Sequence, residues 1–227
     1  MGITTDPQTN DLILIMEYMK DGSLEDLLFK QKVKLSHPDV LRLALDIAKG
    51  IHYLHSQNPK ILHRDLKSAN VLVTILNKFI RANNFKLHSG KKRAKISDFG
   101  TAKFLPPNAK AETVIGAVGI ALPPEMLVEK PYDEKVDIFS YVFYHTIIFD
   151  ATNEQFSFGV VLYEMFTNTR MRVLDESDRQ EFIKNKINHD EMTQLLVLNC
   201  CMKDPTQRPT TLQVITTLKQ IRKATKS

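Results

Sequence analysis

Two polar runs placed on either side of a short apolar hairpin constrain this chain more than any other feature. The first is His63-Arg64-Asp65-Leu66-Lys67-Ser68-Ala69-Asn70, directly ahead of Val71-Leu72-Val73. The second is Ser97-Asp98-Phe99-Gly100, directly behind Ala94-Lys95-Ile96. The two triplets read as short strands and as hairpin partners. A lone Asp-Phe-Gly is more often a turn after a strand than a site. The weight therefore rests on the octapeptide and on the order of the two runs.

Elsewhere the apolar pattern supplies a core. Asp11 to Met19 contains a run rich in Ile and Leu and reads as a buried strand. Asp21-Gly22 marks a turn, and Ser23 is an N-cap for a short helix with Asp26 three residues on. Ser36 is a second N-cap, with Pro38 in the first helical turn. Val40, Leu41, Leu43, Ala44, Ile47, Ala48, Ile51 and Leu54 follow at helical spacing, which predicts a long buried helix ending near His55. Phe158 to Phe166 is nearly all apolar, a central buried helix or strand. Asp190 to Met202 and Thr211 to Ile221 read as amphipathic helices, separated by breaks at Asp204-Pro205 and Arg208-Pro209.

A chain of 227 residues with 43% apolar and 25% charged residues is long enough for one domain with its own core. The net charge is +5, and the tightest basic cluster is Lys91-Lys92-Arg93 with Lys95. It carries no interleaved aromatic residues to stack on bases, so it reads as a solvated loop and not as a nucleic-acid surface. The two cysteines, Cys200 and Cys201, are sequence neighbours and make a poor disulfide, which fits a reducing, cytoplasmic setting. They also lack the spacing of a zinc site. The longest apolar-rich stretch, Ile138 to Phe149, is too short to span a bilayer. Asp6, Asn10 and Asp11 interrupt any secretory signal, and Asp6 stands where a Met1-Gly2 myristoylation signal needs Ser or Thr.

The octapeptide resembles the catalytic loop of a protein kinase, and Asp98-Phe99-Gly100 resembles the kinase magnesium-binding triplet. The likeness runs from about Gly2 to Ile221. It implies an α+β, protein kinase-like fold: a mainly helical C-lobe over 20–221, with residues 1–19 supplying only the last N-lobe strands and the hinge. It implies protein substrates, ATP and Mg2+. Asp65 would accept or orient the substrate hydroxyl proton, and Lys67 would contact the transferred phosphate. Asp98 and Asn70 would hold magnesium. Glu17-Tyr18-Met19 looks like the hinge that binds adenine, Met16 the gatekeeper behind it, and Leu72 the pocket floor. Lys67 is the pattern of Ser/Thr enzymes, and the spelling of residues 63–73 is most similar to the tyrosine-kinase-like group. Arg64 suggests an upstream activating kinase, with Thr101 and Thr113 as candidate phosphate carriers. Pro124-Glu125 resembles the end of the Ala-Pro-Glu motif, Arg208 its partner, and Asp137 the aspartate beneath the catalytic loop. A pseudokinase or non-catalytic interaction module is the alternative.

Four departures qualify the resemblance. The chain opens where the fourth N-lobe strand would end, and it contains no Gly-x-Gly, so a truncated domain with doubtful activity of its own is expected. Gly116-Ala117 stands where the family has Gly-Thr. Asn70 and Asp98 are 28 positions apart, which predicts a long hairpin loop over Thr74 to Arg93. Lastly, Tyr141 to Ser157 interrupts the central helix. The halves Val136-Asp137-Ile138-Phe139-Ser140 and Phe158-Gly159-Val160-Val161 rejoin in family register without it, so a retained intron is expected rather than an evolved insertion.

Overall fold

A 19-residue helix, α1 (His37–His55), is the axis on which the rest is assembled. Its start is fixed locally. The Ser36 side chain accepts from Asp39 N at 3.3 Å, and proline, which has no amide hydrogen to lose, occupies the first turn. Ser23 and Asp26 cap a short turn of helix reciprocally, as their spacing predicts. The computed structural model describes residues 2–76, 81–82, 85–86, 91–106, 132–138, 158–171, 176–187 and 190–225.

Ahead of α1, β1 (Gly2–Thr5) and β2 (Leu12–Ile15) form an antiparallel ribbon. After it come β3 (Lys60–Leu62), β4 (Val71–Leu76), the two-residue strands β5 (Arg81–Ala82) and β6 (Phe85–Lys86), β7 (Lys91–Ile96) and β8 (Lys103–Leu105). All pairs are antiparallel: β3 with β8, β4 with β7, and β5 with β6. The C-terminal half is helical, with α2 (Phe158–Thr167), α3 (Glu176–Lys186), α4 (Glu191–Cys200) and α5 (Thr211–Ala224). α1 packs on β7, α5 and α2, while α4 packs on α2, α3 and α5. Leu41, Leu43, Ile47 and Ile51 of α1 are wholly buried against Phe158, Val161, Val197 and Leu218, among others. N-capping starts two of these helices: Asp190 accepts from Thr193 N, and Thr210 with Gln213 forms a reciprocal capping box.

Two expectations change, and one open reading is settled. The strand in the Asp11–Met19 run is shorter than the apolar stretch, and part of it faces outward. Ile13 is 40% exposed, Ile15 52% and Tyr18 86%, whereas Met19 is buried. The ribbon is two-stranded, and no third described strand or helix covers it. The basic cluster is strand and not loop. The hairpin runs six pairs, from Val71↔Ile96 to Leu76↔Lys91, so Lys91, Lys92 and Arg93 are part of the ladder. This also absorbs part of the long spacing between Asn70 and Asp98. The cluster is held against α1 by Lys92 Nζ to Asp39 at 2.7 Å and Arg93 Nε to Asp46 at 2.8 Å. Finally, Phe158–Phe166 resolves as helix.

Residues 139–157, which include the interrupting segment, lie outside the described residues, but its flanks do not. Gly159 N donates to Ile138 O at 3.3 Å. Removing the seventeen residues Tyr141–Ser157 would make Gly159 the fourth residue after Ile138, and this would be an ordinary α-helical bond. The two flanks are thus bonded to each other across the segment. Gly159 also lets α2 approach α4: a Cβ there would lie 2.7 Å from Cys201 Sγ and 3.0 Å from Cys200 Cβ. A variant lacking Tyr141–Ser157 is accordingly expected to unfold cooperatively at the same or a higher temperature than the full chain. Scanning calorimetry of the pair checks this, and loss of the transition would count against the bonding.

Candidate active site

The polar octapeptide is held by one buried carboxylate. Asp137 ends a short 3-10 turn (Glu134–Asp137) that Asp133 caps through Lys135 N. Its Oδ2 accepts from His63 N at 2.9 Å and lies 2.7 Å from His55 Nε2, while Oδ1 accepts from Arg64 N at 2.8 Å. Burial alone would raise the Asp137 pKa. The His55 hydrogen bond and charge, with the two backbone donors, outweigh that and hold it below the usual carboxylate value. His55 closes α1, so the core helix and the 3-10 turn meet at this point.

From that anchor the loop projects its reactive groups. Arg64 adopts a left-handed φ of 66°. Its guanidinium donates to Thr101 O at 2.6 Å and Tyr132 Oη at 3.1 Å, both uncharged acceptors. Asp65 Oδ2 accepts from Lys67 Nζ and from Asn70 Nδ2, each at 2.9 Å. Asn70 Nδ2 also donates to Asp65 O at 2.9 Å. No described donor takes Asp65 Oδ1. The Asp65 side chain keeps 14% of its surface exposed.

The second polar run is tied to the first through the backbone. Ser97 N and Oγ both donate to Asn70 O, at 2.9 and 3.0 Å. His63 Nε2 lies 3.0 Å from Ser97 O, its ring meets Phe99 edge-on at 5.2 Å, and Thr101 Oγ1 donates to His63 O at 3.0 Å. Asp98, exposed between these fixed points, has a φ of 62°. Asp is one of the few non-glycine residues that tolerate this region, and here its Oδ1 accepts from Gly100 N at 3.3 Å. Asp65, Asn70 and Asp98 are therefore brought to one end of the β4–β7 hairpin. Asp98 offers a hard, accessible carboxylate. Asn70 has its amide nitrogen committed to Asp65, which leaves its oxygen as the group to offer. This donor set fits a magnesium ion.

The model of the protein kinase domain matches residues 3–218. The chain belongs to the protein kinase family. Among its curated relatives is a probable serine/threonine-protein kinase of Dictyostelium discoideum, 31% identical over 212 residues, which covers 92% of this chain and 18% of that one. Serine/threonine-protein kinase STY46 of Arabidopsis thaliana is 30% identical over 238 residues, covering 98% of this chain and 34% of the relative. LRR receptor-like serine/threonine-protein kinase ERL1, also of Arabidopsis thaliana, is 32% identical over 238 residues, covering 94% and 21%. The kinase chain thus spans about a third or less of the length of these relatives.

The remaining kinase positions are placed as follows. Leu72, expected as the pocket floor, is half-buried on β4 opposite Lys95, and Lys95 pairs with Glu17 of the expected hinge. Asp21 fixes the turn after the hinge by accepting from Ile75 N at 2.6 Å. Met19 is buried, whereas Met16 is 51% exposed with no described residue across from it. Arg208, 2% exposed, donates to the carbonyls of Met202, Lys135 and Lys203. Its expected partner Glu125 lies outside the described residues, as do Thr113, Gly116-Ala117 and Pro124. His55 and Tyr132 were missed from sequence. His55 could have been found, since it falls four residues beyond Ile51 on the buried stripe of α1. Tyr132 carries no local signal.

Asp137 gives a pH-dependent expectation. Its folded pKa lies below the unfolded value of about 3.9. The stability it contributes is fully present above that value and is lost as pH falls through the lower folded pKa. Asp137→Ala leaves two backbone donors and His55 without their acceptor, and is expected to cost about 3–5 kcal/mol at neutral pH. Urea unfolding across pH 3 to 7 should show a flatter acid limb in this variant than in the parent.

Proposed function

We propose that this chain is the large lobe of a Ser/Thr protein kinase of the tyrosine-kinase-like group, and that its site serves transfer of the ATP γ-phosphate to a protein hydroxyl. The observation that carries this reading is the hold on Asp65. Lys67 and Asn70 occupy one carboxylate oxygen and leave the other to a hydroxyl. A base must be oriented within hydrogen-bond reach of its proton, and this arrangement does that before any substrate arrives. Lys67 keeps its ammonium beside Asp65, where the transferred phosphate would lie. Asp98 and the Asn70 amide oxygen are the groups that would hold magnesium, which when bound neutralises charge on the phosphates. Lys67 two residues beyond the base supports Ser and Thr as acceptors.

Regulation by an upstream kinase is part of the proposal, through the segment between Asp98 and Glu125. Thr101 is the weaker candidate there, since its hydroxyl already donates to His63 O. The cysteines support a cytoplasmic setting: both are buried thiols not joined in a disulfide, and burial pushes the Cys200 thiol pKa well up, away from reactive thiolate. No described helix is long and apolar enough to cross a membrane.

The second reading, a pseudokinase or interaction module, is favoured by one observation. Ile13, Ile15, Met16 and Tyr18 are all exposed around the hinge, so the adenine side of the site is unwalled by described residues. No Gly-x-Gly stands ahead of the hinge in these 227 residues to roof the phosphates. A polypeptide of these residues alone is therefore expected to show negligible transfer from ATP-magnesium to a generic protein substrate. Radiolabel incorporation measures this. Turnover within the range usual for kinases, about 1–100 per second, and abolished by Asp98→Ala, would overturn the expectation.

Joined behind the small lobe of a relative such as STY46, the chain is expected to produce phosphoserine and phosphothreonine and little phosphotyrosine. In that fusion Asp65→Asn should remove most turnover and leave nucleotide affinity nearly unchanged, because Asp65 acts on the hydroxyl. Asp98→Asn should weaken metal-nucleotide binding. Calorimetric titration with ATP-magnesium separates the two, and equal effects on affinity would refute the role assignment.

A further inference from the structure

The basic cluster Lys91-Lys92-Arg93 is not consumed by the catalytic machinery, and its position in the fold gives it a second meaning. A cleft of about 490 Å³ opens where β7, α1 and α5 meet. Arg42 and Lys49 of α1, Lys91 and Arg93 of β7, and Arg222 of α5 line it, over a floor that includes Leu41. Asp46 is the one acid in this lining and is already paired with Arg93. Asp39 nearby is shared between Arg42 and Lys92. Lys49, Lys91 and Arg222 have no acidic partner among the described residues, and all three are exposed. Three elements distant in sequence thus converge like charges on one concavity. That convergence opposes folding unless an anion is shared among them.

The position is remote from the site of transfer. Lys91 begins β7 and Asp98 follows its end, which at the strand rise of about 3.3 Å per residue separates them by roughly 20 Å. An occupant here would not compete with nucleotide or with the accepting hydroxyl.

We propose that this cleft is a docking site for an acidic peptide segment of a partner protein, bound by its Asp and Glu side chains. Three observations select that occupant. The unpaired cations stand on separate elements around an open trough and do not point from buried positions at one centre, as a compact phosphate ligand requires. The lining holds no aromatic side chain on which a nucleic-acid base could stack. The lining does include apolar groups, Pro38 and Leu41, so an extended chain can cover them while its carboxylates reach Lys49, Lys91 and Arg222 in turn. The inference goes beyond phosphotransfer and stands whether or not the chain is catalytic.

The test uses the full 227-residue chain and a fluorescein-labelled dodecapeptide of alternating Glu and Gly, followed by anisotropy. Saturable binding is expected, weakening steeply as salt shortens the Debye length from about 10 Å at 0.1 M. The double variant Lys49→Glu, Arg222→Glu reverses two exposed, unpaired charges and should weaken binding by about tenfold or more. Lys203→Glu, an exposed charge outside the cleft lining, should leave it within about twofold, by the same reasoning that a rim charge acts locally. Circular dichroism melts confirm that both variants fold. Absence of binding overturns the proposal, as does binding that survives the double variant. Equal displacement by inorganic phosphate at matched charge would make the site a simple anion sink and also overturn it. Tighter binding of a single-stranded RNA dodecamer than of the peptide would do the same.

Discussion

The buried carboxylate of Asp137 holds the start of the polar loop, and the rest of the loop is built out from there. Two consecutive backbone N–H groups, from His63 and Arg64, point at its two oxygens, and only a turn in the chain can present them that way. The left-handed φ of Arg64 is the conformational expense of that turn. The gain is that Asp65, next in sequence, starts from a fixed backbone, and Lys67 and Asn70 then orient its side chain. Because His55 completes the same cluster from the end of α1, the position of the base is referenced to the largest core element of the molecule.

The β4–β7 hairpin gives the second reference. Its near end carries Asn70 and Ser97, whose backbones are bonded to one another, and from there it presents Asp98. Its far end carries cations to the acids on the outer turns of α1. One two-stranded ribbon therefore separates two charge environments. A carboxylate-bearing end attracts cations, and a cation-rich end attracts anions. Lys95, opposite Leu72 near the first of these ends, ties the ribbon to Glu17.

Much of this was legible in the residues. Ser23, Ser36 and the apolar stripe of α1 define their elements because capping and helical periodicity are local signals. The order of Asp65, Asn70 and Asp98 announced the chemistry before any geometry. Burial of the Asp11–Met19 run was not legible. An apolar strand is buried only if something covers it, and periodicity does not say what covers it. The far half of the hairpin was hidden as well. Lys91, Lys92 and Arg93 lack strand propensity, and their order comes from pairing with Thr74–Leu76 and from Asp39 and Asp46, which are remote in sequence. Tyr132 escaped for the same reason: its hydroxyl matters only because Arg64, 68 residues earlier, reaches it.

The bond from Gly159 to Ile138 carries a consequence for how this helix is specified. Helical register is ordinarily inherited from the neighbouring residue, since each turn is built on the one before. Here covalent succession is interrupted, and phase must come from elsewhere. The close fit of Gly159 against Cys200 and Cys201 and the full burial of Phe158, Val161 and Leu162 provide it. A helix phased in this way is assembled as two fragments of a complemented protein are, by surface recognition between pieces. Its integrity is then a property of the helices around it more than of the chain that runs through it.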